Sequence, residues 1–504
     1  MDASAVDLST TSEPNAVADN RSGKPLCIDL DGTLTYADLS VESLIGAVKR
    51  QPWLLFILPF WFLQGKAMLK QKLAARSMPD VTVLPYNEQL LGDIQRAKAA
   101  GRRVVLVTGS DTRVAEAVAE HLGVFDEVIG SDGERNLTSR NKAGVLVARF
   151  GQNEFDYAGN ESADVPVWQV ADGALVVNAN DKVTQQAEKI GRVVTKIPPR
   201  SAGVMEWLRA IRVHQWSKNA LLFLPLFTSH RFLEFQPMLS ALLGFLAFSA
   251  IASATYIIND LLDLDTDRHH AKKHKRSFAS CMLSVKSGVV MCAALFVVGI
   301  ALALAISPAF LAMLGLYVVT TLAYSFGLKR VASLDVMVLA GLYTLRIIAG
   351  GVAAGVTLSF WLLAFSMFIF LCLAFTKRVA ELVDLRERAE AGAAKVRGRE
   401  YSTADISLLQ TMGTVAGYLS VLVLALYINS PDVLVLYATP QMLWLVAPLL
   451  LLWVTRLWVV TSRGYMHDDP IVFAIKDPET WVTVALVGVI VLSAKAFDLT
   501  GLIG

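Results

Sequence analysis

Residues 28–34 read Ile-Asp-Leu-Asp-Gly-Thr-Leu, which puts Asp29 and Asp31 two positions apart at the end of an apolar run. On a strand, that spacing projects both carboxylates from one terminus, and Gly32 with Thr33 lets the chain turn tightly behind them. One of the two can then hold Mg²⁺ while the other acts as a nucleophile; a strand followed by an ordinary Asp-Gly turn is the plainer alternative. A second acidic group, Tyr256-Ile-Ile-Asn-Asp-Leu-Leu-Asp-Leu-Asp-Thr-Asp-Arg268, lies at the end of a long apolar stretch. Asn259, Asp263 and Asp267 fall at i, i+4 and i+8 with Asp260 alongside, so a continuing helix would carry them on one face. Carboxylates gathered near a bilayer repel one another and are costly. A divalent cation carrying a pyrophosphate would remove that cost. The alternative is an acidic loop balancing His269, His270, Lys272, Lys273, His274, Lys275 and Arg276.

Composition splits the elements that must position these groups. Of 504 residues, 54% are hydrophobic and 18% charged, with a mean hydropathy of +0.49, so membrane spans are expected. The net charge of +2 gives no reason to invoke nucleic acid. The four cysteines, Cys27, Cys281, Cys292 and Cys372, form no CxxC pair, which argues against a disulfide framework or a zinc site. Residues 1–23 read as a polar, disordered tail without the basic and apolar regions of a signal peptide. Residues 24–198 read as a soluble α/β domain: Pro25–Leu30, Arg103–Val107 and Glu127–Ile129 have the apolar character of buried parallel strands, with helices over Asn87–Ala100 and Thr112–Leu122. A linker over 199–206 leads into a membrane domain, 207–504.

Nine apolar stretches follow, about 212–229, 237–258, 284–306, 308–327, 333–353, 358–377, 405–428, 439–461 and 480–498; Lys218 and Pro225 interrupt the first. The loops Asp260–Arg276, Leu328–Arg330, Lys377–Tyr401 and Ser462–Pro478 carry nearly all the Lys and Arg of this half, and the opposite loops almost none apart from Arg231. The positive-inside rule then places the N-terminal domain in the cytosol and the C-terminus outside. Trp53–Leu63 is eleven apolar residues inside the soluble half, too short to span. It reads either as a buried cap helix or as a surface dipping into the membrane interface, with Lys49, Arg50 and Lys66 beside anionic headgroups.

Three further pieces follow Asp29 and Asp31 in order: Val104-Val-Leu-Val-Thr-Gly-Ser110, a strand ending in a hydroxyl; Asn141-Lys142, a cation; and Tyr157-Ala-Gly-Asn-Glu-Ser-Ala-Asp164, with polar metal-binding types four apart. The ordered set resembles the haloacid dehalogenase (HAD) superfamily of phosphatases, a Rossmann-type α/β fold. The resemblance implies Asp29 as the nucleophile, Asp31 as general acid and then base, Thr108 and Lys142 on the phosphoryl oxygens, and Mg²⁺ held by Asp29, Asp31, Asn160 and Asp164. Asn160 stands where the family often has Asp, which would lower the charge on the metal. Residues 35–85 would form a helical cap.

The N-D-x-x-D-x-x-x-D pattern and the apolar stretches resemble the UbiA superfamily of intramembrane prenyltransferases, an all-α fold of nine transmembrane helices, over about residues 205–500. The second acidic motif usual in that superfamily is not at its expected place. Instead Arg212-Val-His-Gln-Trp-Ser-Lys-Asn219, Tyr324-Ser-Phe-Gly-Leu-Lys329 with Asp335, Leu345-Arg-Ile-Ile-Ala-Gly-Gly-Val352, Thr376-Lys-Arg-Val-Ala-Glu-Leu-Val-Asp384 and Asp468-Asp-Pro-Ile-Val-Phe-Ala474 resemble the decaprenyl-phosphate phosphoribosyltransferases. That resemblance implies transfer of 5-phosphoribose from phosphoribosyl pyrophosphate (PRPP) to a polyprenyl phosphate lipid. Mg²⁺ would sit on Asn259, Asp260, Asp263 and Asp267; Lys218, Asn219, Asn259, Tyr324, Lys329, Arg346, Lys377 and Arg378 would meet the substrates, with Glu381 and Asp384 pairing the cations or completing the metal site. Each cation has a plainer role as a snorkelling anchor, least so Arg346, which lies within a span. The bacterial-type inner membrane is the implied location, and an oligomer is compatible with the reading. An aromatic or quinone-type prenyltransferase would carry a second acidic cluster, and a transporter would show internal repeats; neither is found in the sequence.

Overall fold

The structure, a computed structural model, describes residues 23–270, 272–388, 400–466 and 469–497. The expected tail up to residue 22, Asp468, and residues 389–399 of the basic loop ending at Tyr401 lie outside them. The described residues form two compact units that are not contiguous in sequence: one runs to Ala210 and adds Ile257–Val290, the other joins Ile211–Tyr256 to the residues from Met291 onward.

The first unit is built on six parallel strands, β1 (Leu26–Ile28), β2 (Val104–Asp111), β3 (Glu127–Ser131), β4 (Asp156–Gly159), β5 (Gly173–Val177) and β6 (Val193–Ile197), in the order β3-β2-β1-β4-β5-β6. β1, β4 and β5 are buried along their whole length, as expected of strands covered by helices on both faces. One core packs Ile28, Leu30, Leu106 and Leu175 with Val114 and Ile94; the other packs Cys27, Val105 and Val176 with Trp168 and Leu146. Side-chain caps begin the helices: Asn87 accepts from the Leu90 amide, Asp111 from Arg113 and Asn180 from Val183. Strand order reverses between β1 and β4. Ligands of doubly wound sheets bind beyond the carboxyl ends of the strands at such a switch point, and Asp29 and Asn160 directly follow those two strands.

Between β1 and β2 the chain makes four α-helices, Leu39–Arg50, Leu54–Leu63, Lys66–Arg76 and Glu88–Ala99, the first three within the expected cap. The first is held to the segment after the acidic motif. Glu42 and Arg268 form a bidentate pair at 2.6 and 2.8 Å, and both side chains are 3% exposed. Removing one partner strands a buried charge. Arg268→Ala should therefore cost about 3–5 kcal/mol of this unit's stability, while Glu42→Met with Arg268→Met should restore most of it. Denaturant midpoints followed by limited proteolysis would compare the two.

Eight helices among the described residues are long and apolar enough to cross a membrane: Phe235–Leu262, Val285–Ile306, Pro308–Phe326, Leu334–Ala354, Phe360–Glu387, Thr403–Ile428, Pro440–Ser462 and Pro478–Ala496. The expected first span, 212–229, is not one of them. It is a 3₁₀ helix, Val213–Phe223, followed by a short α-helix, Leu224–Thr228. Lys218 and Asn219 are buried within it, and Pro225 lies at the start of the α-turn, where its missing amide does no harm. A 3₁₀ helix rises about 2.0 Å per residue, so this stretch still extends about 30 Å. The core of the second unit gathers Ile347, Phe370, Leu373, Val379, Val454 and Leu457, with a second cluster of Phe248, Ile251, Phe310 and Leu314.

Candidate active sites

In the first unit, Asp29, Asp31, Lys142, Asn160 and Asp164 line one cavity of about 760 Å³. Lys142, on the helix Arg140–Phe150, donates to Asp29 Oδ1 at 2.7 Å and to the Tyr157 hydroxyl at 2.7 Å. Tyr157 in turn donates to Asp164 Oδ1 at 2.8 Å. The other Asp164 oxygen accepts the backbone amides of Asn160 and Glu161, so Asp164 orients the β4 loop as well as the lysine. Burial pushes the Asp29 carboxyl up to about 7, against the pull of the Lys142 ammonium. Asp31 accepts the Leu39 amide at 2.8 Å on one oxygen. Its other oxygen accepts Ser110 Oγ at 2.6 Å and Thr108 Oγ1 at 3.3 Å. Burial and the neighbouring Asp38 raise its carboxyl too, although Ser110 and the Leu39 amide oppose them. One carboxyl bonded to a buried lysine and a second held by two hydroxyls and an amide, side by side in one cavity, are the group types that nucleophilic and acid–base chemistry on a phosphate ester would use.

In the acidic motif the helix Phe235–Leu262 ends one residue before Asp263, and a short helix, Leu264–Arg268, follows. The backbone pattern nonetheless carries through: the Asp263 amide donates to Asn259 O and the Asp267 amide to Asp263 O. The side chains divide. Asp260 Oδ1 and Asp267 Oδ2 both accept from Arg276 Nη1, at 3.1 and 2.6 Å, whereas Asp263 pairs with Lys49 at 2.9 Å. The expected single acidic face is thus shared between two basic partners. Among the described residues no three His, Cys, Asp or Glu side chains converge as a metal cage.

In the second unit, Lys218 and Lys377 both donate to Asp469 Oδ2, at 2.8 and 2.9 Å. Burial alone would raise the Asp469 carboxyl; the two lysines outweigh it and hold it far below the usual carboxylate range. Arg346 donates to Asn219 Oδ1 at 2.9 Å and lies over the rings of Phe248, Tyr317 and Tyr343. Lys218 stands 5.9 Å from the Tyr343 ring, so among the described residues Lys218, Lys377 and Arg346 share one neighbourhood with the Asp469 carboxylate. Arg378 is elsewhere engaged. It pairs with Asp335, which is 0% exposed, and with Glu381, and it donates to Tyr324 Oη at 2.9 Å. Tyr324 itself donates to Asp335 at 2.7 Å. Lys329 lies in a 3₁₀ turn, Leu328–Arg330, and Asp384 one turn beyond Glu381 on the helix Phe360–Arg388.

The UbiA prenyltransferase family matches residues 222–475, half of the sequence. The chain belongs to the UbiA prenyltransferase family. Ahead of that domain, residues 26–169 match the haloacid dehalogenase-like hydrolases, so a UbiA domain is joined here to a HAD domain. Protein y4nM of Sinorhizobium fredii is 41% identical over 467 residues, 92% of this chain and 89% of that one. The nodulation protein NoeC of Azorhizobium caulinodans is 34% identical over 286 residues, 56% of this chain and 90% of its own. The decaprenyl-phosphate phosphoribosyltransferase of Mycobacterium tuberculosis is 34% identical over 229 residues, 44% of this chain and 74% of its own. With its run of membrane-length helices, the UbiA half makes this a polytopic membrane protein.

The HAD site also uses residues that spacing alone does not reveal. Tyr157 relays between Lys142 and Asp164, Ser110 holds Asp31, and Asn178 donates to the Gly32 carbonyl at 3.0 Å. In the UbiA half, Asp469 was legible only as part of a motif; its place as N-cap of Pro470–Lys476, ahead of a proline, is the signal that could have singled it out. Gly32 has φ +75°, and a Cβ there would meet Asn160 Nδ2 at 2.2 Å. Gly32→Ala should therefore push Asn160 out of the cavity and lower phosphate release at least about tenfold, a cost of about 1–2 kcal/mol in backbone strain alone, with transfer in the UbiA half unchanged. Parallel assays of the two activities would test this.

Proposed function

We propose that the UbiA domain transfers 5-phosphoribose from PRPP to a polyprenyl phosphate, and that the HAD domain then hydrolyses the 5-phosphate of the lipid-linked product. The observation that carries the first half is the cationic group Lys218, Lys377 and Arg346 gathered about Asp469 and Asn219. Among the described residues three cations there face one anion, which leaves positive charge for a polyanionic, water-soluble donor, and a guanidinium suits bidentate phosphate contacts. The M. tuberculosis relative, whose name pairs phosphoribosyl transfer with decaprenyl phosphate, supports the same reading.

Mg²⁺ fits the acidic motif by donor type, since Asn259, Asp260, Asp263 and Asp267 offer hard oxygens. Asp260 and Asp267 already stand close enough for one cation, Arg276, to bridge them. When bound, Mg²⁺ would neutralise charge on the departing pyrophosphate. Within the chain, Lys218, Arg346 and Lys377 bind and orient the phosphates, and Asn219 fixes the Arg346 guanidinium. A phosphate oxygen of the lipid attacks C1 of the ribose, the C1–O bond breaks, and pyrophosphate leaves with the bonding pair. The polyprenyl tail lies among the apolar helices, which enclose a cavity of about 700 Å³ lined by Leu224, Trp361, Phe365, Tyr427 and Leu450.

In the HAD domain Asp29 attacks phosphorus and Asp31 protonates the leaving ribose oxygen. Asp31 then takes a proton from the water that cleaves the aspartyl-phosphate, releasing inorganic phosphate. Lys142 and Thr108 hold the phosphoryl oxygens. Asp29, Asp31, Asn160 and Asp164, which line the same cavity, would be the hard-oxygen donors for a second Mg²⁺. The proposed topology counts 212–229 as crossing, which keeps the HAD domain and the basic loops in the cytosol and the C-terminus outside. Membranes given labelled PRPP, polyprenyl phosphate and Mg²⁺ should move label into the lipid phase. Turnover of a polyprenyl diphosphate with an aromatic acceptor instead would replace this reading.

A further inference from the structure

The cap helix Leu54–Leu63 is apolar on every side, yet it is not buried. Leu54 and Trp61 are buried, packed with Ala47 and Leu73, and Ile57 and Leu58 lie half-buried against them. Trp53 is 52% exposed, Leu55 57%, Phe56 81%, Phe60 64%, Phe62 58% and Leu63 83%. Six large apolar side chains on eleven consecutive residues make an exposed patch of the kind that marks an interaction surface. Basic residues frame it: Lys49 and Arg50 before it, Lys66, Lys70, Lys72 and Arg76 after it, with Lys72 and Arg76 over the Trp61 ring at 5.4 and 4.4 Å.

The surroundings name the occupant. The cap is fixed through Glu42 to Arg268, six residues past the end of the membrane-length helix Phe235–Leu262. Asp38, at the start of the same cap helix, pairs with Lys286 at 2.8 Å, in the first turn of the membrane-length helix Val285–Ile306. Ser284, Val285 and Lys286 also line the cavity that holds Asp29, and Phe62, Lys66 and Leu69 of the cap line it with them. The catalytic cavity is therefore walled by the start of a membrane helix and by the exposed apolar cap.

We infer that the helix Leu54–Leu63 seats in the acyl–headgroup boundary of the leaflet, with its basic frame on anionic headgroups, so that the HAD domain takes lipid-anchored phosphate monoesters directly from the membrane surface. An amphipathic or apolar segment of this length lies in the interface rather than spanning it. Lys66 and Lys70, at the cavity wall, meet the headgroup as it enters. The inference narrows the substrate class of the HAD site beyond a phosphate monoester in general. It rests on the proposed function only for the identity of the sugar.

The test uses the full chain in nanodiscs of phosphatidylglycerol and phosphatidylcholine, with a photo-crosslinking benzophenone side chain placed at Phe56, Phe60 or Glu154. Glu154 lies before β4, at the opposite end of the sheet from Asp29. Lipid adducts at 56 and 60 and none at 154 are expected. Adducts to protein at 56 and 60, from this chain or from a second copy, or no adducts there, would overturn the inference. A second measurement compares the Phe56→Asp/Phe60→Asp variant on two substrates. Phosphate release from the lipid product formed in the same nanodiscs should fall at least tenfold, with para-nitrophenyl phosphate turnover unchanged. Equal loss on both substrates, or loss on neither, would overturn it. The crosslinks report the membrane seat whether or not the lipid carries ribose, so this inference and the phosphoribosyl reading can fail separately.

Discussion

Asp29→Asn should yield membranes that still attach phosphoribose to polyprenyl phosphate but release no phosphate from the product. The amide keeps the shape of the carboxyl and can still accept from Lys142, so the cavity should persist, but an amide oxygen does not form the aspartyl-phosphate. Loss of a nucleophile costs on the order of 10⁴-fold or more. The phosphorylated lipid should accumulate, visible by thin-layer chromatography as a more polar species. Asp31→Asn should fall less steeply, since it removes an acid–base step worth about 10²–10⁴-fold. Equal rates of phosphate release in wild type and Asp29→Asn would detach the HAD domain from the pathway.

The converse effect is expected at the acidic motif. Asp263→Asn should reduce transfer of label from PRPP to lipid by about 10²–10³-fold, the scale of losing one charge that acts in the transition state. The HAD domain should keep its turnover of a soluble phosphate ester. Asp263 also pairs with Lys49, and loss of that contact is a second source for the effect. Lys49→Gln separates the two. Both partners are about one-third exposed, and such pairs contribute about 0–1 kcal/mol, so Lys49→Gln should leave transfer within about fivefold of wild type. A collapse of transfer in Lys49→Gln would assign the effect to packing rather than to the carboxylate.

Much of the HAD half was legible because its chemistry sits at strand ends. The short apolar runs ending at Leu30 and Val107 mark β1 and β2, and the Thr112–Leu122 helix has the expected bounds. The orienting partners were not legible, because Tyr157 meets Lys142 and Asp164 only once β4 lies beside β1. In the UbiA half, apolar length identified eight helices, but length cannot tell a 3₁₀ rise from an α rise, so 212–229 was read as one more α-helical span. The periodicity of Asn259, Asp263 and Asp267 survives in the backbone bonds, while Lys49 and Arg276 decide where the side chains turn. Nor does spacing tell which cations are committed: Arg378 is tied to Asp335 and Glu381 across helices, whereas Lys218, Lys377 and Arg346 gather around Asp469 and Asn219. For Trp53–Leu63, composition allowed a buried or an exposed helix equally, and only the packing shows that its outer faces are uncovered.

The measurement that bears most directly on the coupled account is a time course with PRPP carrying one radiolabel in the ribose carbons and another in the 5-phosphate, given to wild-type membranes with polyprenyl phosphate and Mg²⁺. Both labels should enter the lipid phase together; the ribose label should then stay while the phosphate label leaves as inorganic phosphate, and in Asp29→Asn the two should remain at a constant ratio. A constant ratio in wild type, with Asp29 intact, would contradict the account.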